Sequence, residues 1–184
     1  MNHRTKLTLD NNCIINLLDT KSLTATSVKE LSKIMRLALS SIADIAITTR
    51  VDADLKNDAD VVRKTTLLKQ IQKFPVVGTV ARIGVSKWDS GDVYGGEESI
   101  RWADDIQKIV FPSGLNSNSS TYGNKINDID HLLGHKINRR DIFVTDDGDM
   151  LRKSENLKKS LGIVVMTPAS CLQFLTQFPV LREI

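Results

Sequence analysis

The acidic residues with the clearest chemical potential directly follow a short apolar run. The run at 142–144 leads into one threonine and three aspartates, namely Thr145, Asp146, Asp147 and Asp149. Continuous apolar runs with polar flanks are typical of buried strands in a parallel sheet. Because functional groups of open α/β folds gather beyond the carboxyl ends of such strands, this stretch predicts carboxylates at that edge.

Further acids lie at corresponding places in the predicted pattern of strands and helices. Asp10 follows the first predicted strand, and Asp54 lies in the first turn of the helix after the second strand. Asp128 or Asp130 begins the helix that precedes the 142–144 strand. Each acid alone is explained by helix capping or by the helix dipole. Their joint placement indicates a functional site, because these strand ends and helix starts meet at one edge of a parallel sheet.

Carboxylates gathered in this way predict a metal site. They repel one another and raise each other's pKa unless a cation neutralises them. Hard oxygen ligands in that number suit Mg²⁺ or Mn²⁺, ions that activate water and stabilise the leaving oxygen of a phosphodiester. The candidate metal ligands are the aspartates of these segments: Asp10, Asp54, Asp128, Asp130, Asp146, Asp147 and Asp149.

Two motifs in the first third of the chain resemble those of the PIN-domain nucleases. That family begins with a strand ending in Asp-[Ser/Thr]-Asn and an apolar helix, which residues 9–15 (LDNNCII) resemble. Its second acid commonly follows a Ser or Thr and five further residues, as Glu-Leu. Thr48 and Asp54-Leu55 fit this spacing, with Asp in place of the usual Glu.

Two motifs near the end of the chain extend the resemblance. The family's third acid opens Asp-x-x-[Ile/His], which Asp128-Ile-Asp-His131 resembles, with Asp130 as the competing choice. Its last motif is a strand followed by Thr-x-Asp, which Thr145-Asp-Asp147 resembles. The resemblance covers both ends of the chain and fades between residues 75 and 122.

The resemblance implies a Mg²⁺- or Mn²⁺-dependent endonuclease that hydrolyses single-stranded or structured RNA. The implied catalytic set consists of four ligands and an orienting hydroxyl: Asp10, Asp54, Asp128, Asp147 and Thr145. The shorter Asp54 side chain and the divergent middle of the chain keep a second interpretation open. In that interpretation the protein is a weakly active or inactive PIN-like module that binds RNA or a protein.

Residues that could hold RNA are polar or basic and flank the predicted acidic edge. They are Asn12, Arg50, Arg139, Arg140, Arg152 and Lys153. Basic side chains beside a metal site hold backbone phosphates while the metal acts on one of them. The net charge of +3 is too small to indicate nucleic-acid binding by itself. An inhibitor such as an antitoxin, or a second copy of the chain, is the protein partner to expect.

The order of predicted elements is β-α-β-α, an excursion, and then α-β-α-β-α. This order predicts a three-layer α/β/α sandwich with a central parallel sheet, which is also the PIN-like fold. We expect one domain over residues 1–184, with the family-divergent excursion at about 75–122. A single helix is predicted over 51–74, and Asn127 or Asp128 is the expected cap of the later helix.

Cysteine and histidine usage is typical of an intracellular protein without a zinc site. Cys13 and Cys171 lie in apolar surroundings, so we expect two buried, reduced thiols. His131 and His135 lie four residues apart on a predicted helix and could grip a transition metal. The pair lacks the Glu that a zinc peptidase has next to its first histidine. The favoured interpretation is therefore that one histidine lies at the helix surface and the other packs in the core. No signal peptide or membrane span is predicted, which favours the cytoplasm.

Overall fold

The computed structural model describes residues 4–19, 26–56, 60–81 and 92–177. Its centre is a sheet of parallel strands, in chain order β1 (Thr5–Leu9), β2 (Ala43–Thr48), β3 (Val76–Val77), β4 (Ile142–Val144) and β5 (Val165–Met166). Across the sheet the order is β3-β2-β1-β4-β5, with every pairing parallel. The central position of β1 places the carboxyl ends of β2 and β4 on either side of Asp10.

Helices pack on both faces of this sheet. In chain order they are α1 (Asn11–Leu18), α2 (Thr26–Leu39), α3 (Val51–Lys56), α4 (Val61–Ile71), α5 (Glu97–Val110), α6 (Tyr122–Ile137), α7 (Gly148–Arg152), α8 (Ser154–Leu161) and α9 (Pro168–Gln177). None of the described helices is both long enough and apolar enough to cross a membrane.

Side chains that alternate along the strands divide the core into two layers. Ile142 and Val144 of β4 pack with α1, α2, α4 and α9 in one buried cluster. Phe143 between them packs with α5, α6 and α8 in the other. This is the alternation that a strand imposes on neighbouring residues. The predicted three-layer α/β/α sandwich with a central parallel sheet is therefore confirmed.

Helix α6 lies very close to β2. A Cβ at Gly134 would come within 3.2 Å of Thr48 Cγ2 and 3.3 Å of Thr79 Cβ. These contacts are tighter than ordinary van der Waals packing, so glycine allows the helix to approach the sheet at this point. The approach determines how residues earlier on α6 reach the carboxyl edge of β2.

Two predicted helix boundaries are wrong. The pattern at 51–74 forms α3 and α4, and Asp60 begins α4 by accepting a hydrogen bond from the Arg63 backbone N–H at 3.0 Å. A periodicity that continues across a capping residue conceals such a break. Helix α6 begins at Tyr122, so Asn127 and Asp128 lie inside the helix and are not its cap.

The excursion at 75–122 contributes to both the sheet and the core. Its first part forms β3 on the edge of the sheet, and an isolated bridge joins Val80 to Val93. Its helix α5 packs on α6 through Ile106, which is fully buried. Within residues 75–81 the strand β3 is two residues long, and residues 82–91 lie outside the described residues.

Candidate functional site

Four of the predicted acids line one cleft at the carboxyl edge of the sheet. The cleft has a volume of about 460 Å³. Its acids come from four separate segments: Asp10 after β1, Asp54 in α3, Asp128 in α6 and Asp147 after β4. The other lining residues are polar amides and two aliphatic side chains, Asn11, Asn12, Asn124, Ile15 and Leu55.

Asp10 is buried at the junction between β1 and α1. Its backbone N–H donates to the Val144 carbonyl of β4 at 2.9 Å, which extends the sheet by one bond. Its Oδ1 accepts from the Asn11 N–H at 2.8 Å and caps α1, as predicted. Burial raises the pKa of Asp10, against the opposing effect of His131 and of the hydrogen bond from Thr145.

Thr145 is a fully buried hydroxyl that connects three parts of the site. Its Oγ1 donates to Asp10 Oδ2 at 2.6 Å. The same oxygen accepts from the Asp147 N–H at 2.9 Å and from Asn12 Nδ2 at 3.2 Å. The hydroxyl therefore orients one cleft acid and the backbone of another.

The three acids after β4 differ in their surroundings. Asp147 lines the cleft and caps α7, with Oδ1 accepting from the N–H groups of Asp149 at 2.6 Å and Met150 at 3.1 Å. Asp146 is exposed, and its carboxylate accepts from Asn16 Nδ2 at 3.3 Å. Asp149 is exposed and bonds to Arg152. Of the three, only Asp147 lines the cleft.

Asp54 is held through both of its carboxylate oxygens by α6. Asn127 Nδ2 donates to Oδ1, and His131 Nε2 lies 2.9 Å from Oδ2. On the far side of the imidazole ring, Nδ1 lies 2.5 Å from the Thr48 hydroxyl. Thr48, Asp54 and His131 thus form a chain of contacts from the end of β2 to the cleft.

Asp128 is a cleft acid whose pKa lies far above its usual value. It makes no side-chain hydrogen bond within the described ranges. Burial raises the pKa of Asp128 to about 7, and the neighbouring acids Asp10, Asp147 and Asp54 act in the same direction, opposed by His131. The carboxyl group of Asp128 is therefore partly protonated near neutral pH. The negative charges of the other acids favour its neutral form.

Both histidines of α6 are buried, so the expectation that one lies at the helix surface is wrong. Burial alone would lower the pKa of His131, but the hydrogen bond to Asp54 and the charges of Asp10, Asp54 and Asp128 raise it. Burial lowers the pKa of His135 to about 3. That neutral ring lies 3.0 Å from the Thr8 hydroxyl through Nδ1 and packs edge-on against Phe143.

Arg50 and Asp130 form a buried ion pair, which corrects two predictions. Arg50 Nε donates to Asp130 Oδ2 at 2.9 Å, and its Nη1 lies 3.1 Å from Asp92 Oδ2. Its Nη2 donates to the Val80 carbonyl at 2.8 Å. The Arg50 side chain is 2% exposed and that of Asp130 is 0% exposed. Neither side chain is accessible to RNA or to a metal in the cleft.

Arg139 and Arg140 lie at the opposite edge of the sheet, which corrects their predicted contact with substrate. They precede β4, whereas the cleft follows it. Arg140 Nη2 donates to the carbonyls of Leu7 at 2.7 Å and Asp44 at 2.6 Å. Arg139 occupies the turn before β4 with a φ of 48°. Both arginines belong to the connection between α6 and β4.

The remaining predicted substrate contacts divide between the cleft and its surroundings. Asn12 lines the cleft, and its Oδ1 accepts from the Asp146 N–H at 3.3 Å. Arg152 and Lys153 lie at the far end of α7 from Asp147. Among the described residues that line the cleft, none is an arginine or a lysine.

The sequence interpretation missed several residues of the cleft. Asn11 and Asn124 line it, and Asn127 and His131 hold Asp54. His131 had a signal, since it closes the Asp-x-x-His motif. Asn124 had none, because the sequence around it is typical of a loop. The Asn11 Oδ1 is buried and has no hydrogen-bond partner among the described residues.

Comparison of the chain with known protein-family models finds no match, and comparison with curated proteins finds none either. Within the described ranges, no three side chains of the His, Cys, Asp or Glu type are arranged to hold one metal ion. Membership of the PIN family and metal binding therefore stay predictions.

Proposed function

We propose that this protein is a PIN-type endoribonuclease that depends on Mg²⁺ or Mn²⁺ and hydrolyses RNA phosphodiester bonds. One observation carries the proposal: Asp10, Asp54, Asp128 and Asp147 come from four segments and line the same cleft. Acids that share a cleft destabilise one another, so their collection favours a function that uses them.

The donor set fits a hard divalent cation. Carboxylates at Asp10, Asp54, Asp128 and Asp147 would hold it. Asn11 also lines the cleft, and its Oδ1 is an oxygen without a hydrogen-bond partner among the described residues. Oxygen ligands of this kind suit Mg²⁺ and Mn²⁺. When bound, such an ion supplies a Lewis acid that activates water and neutralises charge on the phosphate.

Mutual repulsion would keep these acids apart while no cation is bound. Two of them are also hydrogen-bonded to protein donors: Asp54 to Asn127 and His131, and Asp147 to the N–H groups at the start of α7. A cation would remove the repulsion, and the carboxylate lone pairs that these donors leave open could coordinate it. We expect the acids to move closer together when the cation binds.

The chain's own side chains would orient both the ligands and the RNA. Thr145 fixes Asp10 by its hydroxyl, and α6 fixes Asp54. Asn12 and Asn124 present amide groups to the cleft, where they can donate hydrogen bonds to phosphate or ribose oxygens. Without a cation, the pKa of Asp128 is about 7, and a bound cation would favour its charged form.

The direct test is incubation of the purified protein with mixed RNA, with and without Mn²⁺. We expect cleavage only with Mn²⁺, and loss of cleavage to background in Asp10→Asn. Asp146→Asn is the matched control, since Asp146 is an exposed acid one residue from Thr145 that does not line the cleft. Full activity of Asp10→Asn would contradict the proposal.

A second candidate is a PIN-like module that binds RNA or a protein partner without cutting. Two observations favour it: the lack of a preformed three-ligand group in the described ranges, and the engagement of both Asp54 oxygens by α6. In that case RNA would shift the protein's mobility in a gel without metal. Millimolar Mn²⁺ would then raise neither the melting temperature nor cleavage.

A further inference from the structure

One face of α6 supplies two donors to a single carboxylate on another helix. Asn127 and His131 are four residues apart, so their side chains lie one above the other on the same face. Asn127 donates to Asp54 Oδ1, and His131 Nε2 reaches Oδ2 at 2.9 Å. The His131 side chain is 1% exposed and that of Asp54 is 16% exposed. Both oxygens of the Asp54 carboxylate are thus hydrogen-bonded by side chains of α6, next to the cleft.

The orientation of His131 is determined by a residue of the sheet. Thr48, the last residue of β2, places its hydroxyl 2.5 Å from His131 Nδ1. Because Nδ1 bonds to the hydroxyl, the ring can present an Nε2–H to Asp54 in a fixed orientation. Carboxylates that bind a metal are commonly held by hydrogen bonds from protein donors in this way.

The same helix turn also carries a cleft acid. Asp128 directly follows Asn127 and lines the cleft, as Asp54 does. A short segment of α6 therefore delivers one acid and determines the orientation of a second acid, on α3. The side chain of Asp54 is one methylene shorter than a Glu, so its reach depends more strongly on what holds it.

We propose that Asn127 and His131 are positioning residues that aim the Asp54 carboxylate at a divalent cation in the cleft, with Thr48 holding His131. The proposal rests on the proposed function, because it assumes that Asp54 is a metal ligand. Neither residue contacts the ion or the RNA. Their effect is on the affinity for the metal and on the rate of cleavage at saturating RNA, and not on RNA affinity.

The test measures Mn²⁺ affinity by calorimetry, together with kcat and KM for a short RNA. We expect Asn127→Leu and His131→Leu each to weaken Mn²⁺ binding by about 10- to 100-fold, the range for loss of a residue that supports a ligand. The matched control is His135→Leu, since His135 lies one turn further along α6, is equally buried and bonds to Thr8 instead of an acid. It should keep the wild-type Mn²⁺ affinity.

A conservative variant separates positioning from packing. His131→Gln retains a donor near the position of Nε2, so we expect it to recover most of the Mn²⁺ affinity that His131→Leu loses. A double-mutant cycle with Asp54→Asn should also be non-additive, because the loss of His131 has no further effect on Mn²⁺ binding once Asp54 is gone. If His131→Leu does not fold, Asn127→Leu and His131→Gln decide the question.

Two failures can be told apart. If the wild-type protein binds no Mn²⁺, the proposed metal-dependent function fails and the positioning role fails with it. If the wild-type protein binds Mn²⁺ and both leucine variants bind it equally well, the positioning role alone is overturned. Equal loss of affinity in His135→Leu would likewise overturn it, since the effect would then follow from helix packing.

Discussion

The Thr145 hydroxyl donates a 2.6 Å hydrogen bond to Oδ2 of Asp10 and so joins the carboxyl ends of β4 and β1. The two strands are neighbours in the sheet, and Asp10 N–H bonds back to the Val144 carbonyl at 2.9 Å. This reciprocal pair brings two segments more than 130 residues apart in sequence into one site. The position of Asp10 in the cleft is therefore determined by the pairing of β1 with β4.

Thr145→Val should destabilise the protein by about 1–3 kcal/mol. The substitution keeps the shape of the side chain but leaves Asp10 Oδ2 and the Asp147 N–H without their partner, and unsatisfied buried polar groups are costly. Urea unfolding at constant pH measures the loss. Thr145→Ser retains the hydroxyl and should lose markedly less, so equal losses would show that the methyl group and not the hydroxyl matters.

Asp128→Asn should stabilise the metal-free protein, and the gain should depend on pH. The pKa of Asp128 is raised from 3.8 to about 7 in the folded state, so deprotonation is easier in the unfolded chain. The resulting loss of stability grows as pH rises between these two values and is constant above about 7. The amide has no such penalty.

The measurement is the difference in melting temperature between Asp128→Asn and wild type from pH 4 to pH 8, without metal. We expect almost no difference near pH 4 and a plateau above pH 7, at about 2–4 °C for each kcal/mol of relieved repulsion. A difference that does not change with pH would mean that the Asp128 carboxyl does not titrate as described.

Mn²⁺ binding should release about one proton well below pH 7 and fewer above it, and its affinity should rise with pH. A cation needs the charged form of Asp128, whose pKa lies at about 7. Affinity should therefore increase about tenfold per pH unit below 7 and level off above it. Calorimetry in two buffers with different ionisation enthalpies counts the released protons. A pH-independent dissociation constant between pH 5.5 and 8 would exclude Asp128 as a ligand.

Arg50→Leu should destabilise the fold by about 3–5 kcal/mol, the usual effect of removing one partner from a buried ion pair. The change leaves Asp130 and Asp92 without the guanidinium that bonds both of them. Arg50→Lys should not restore the stability, because a single ammonium cannot match the three directions of the guanidinium bonds. Arg152→Gln, at an exposed position, is the control and should change stability by less than about 0.5 kcal/mol.

The sequence predicts the sheet and the placement of the acids well, for a clear physical reason. A continuous apolar run identifies β4, short segments with several apolar residues identify β1 and β2, and the chain order of helices and strands predicts that they are parallel. Once the strands are known, the edge at which Asp10 and Asp147 lie follows from chain direction alone. This part of the site depends on local pattern and topology.

The parts that the sequence did not predict depend on side-chain pairing between distant elements. Arg50 and Asp130 are of residue types that usually lie at the surface, and nothing in the local pattern reveals that they neutralise each other. The hydrogen bond between His131 and Asp54 likewise depends on how closely α6 approaches β2. Hydrogen bonds between elements are determined by packing, which one sequence does not display.

Helix α6 also determines where this chain can change its length. Asp130, His131 and His135 each bond to a different partner, and Asp128 lines the cleft. One residue inserted between Asp128 and His131 would rotate everything after it by about 100° and separate all later side chains from their partners. The exposed loop at 111–121 has no such register. Natural insertions and deletions in this region should therefore gather before Tyr122 and be absent from 127–135.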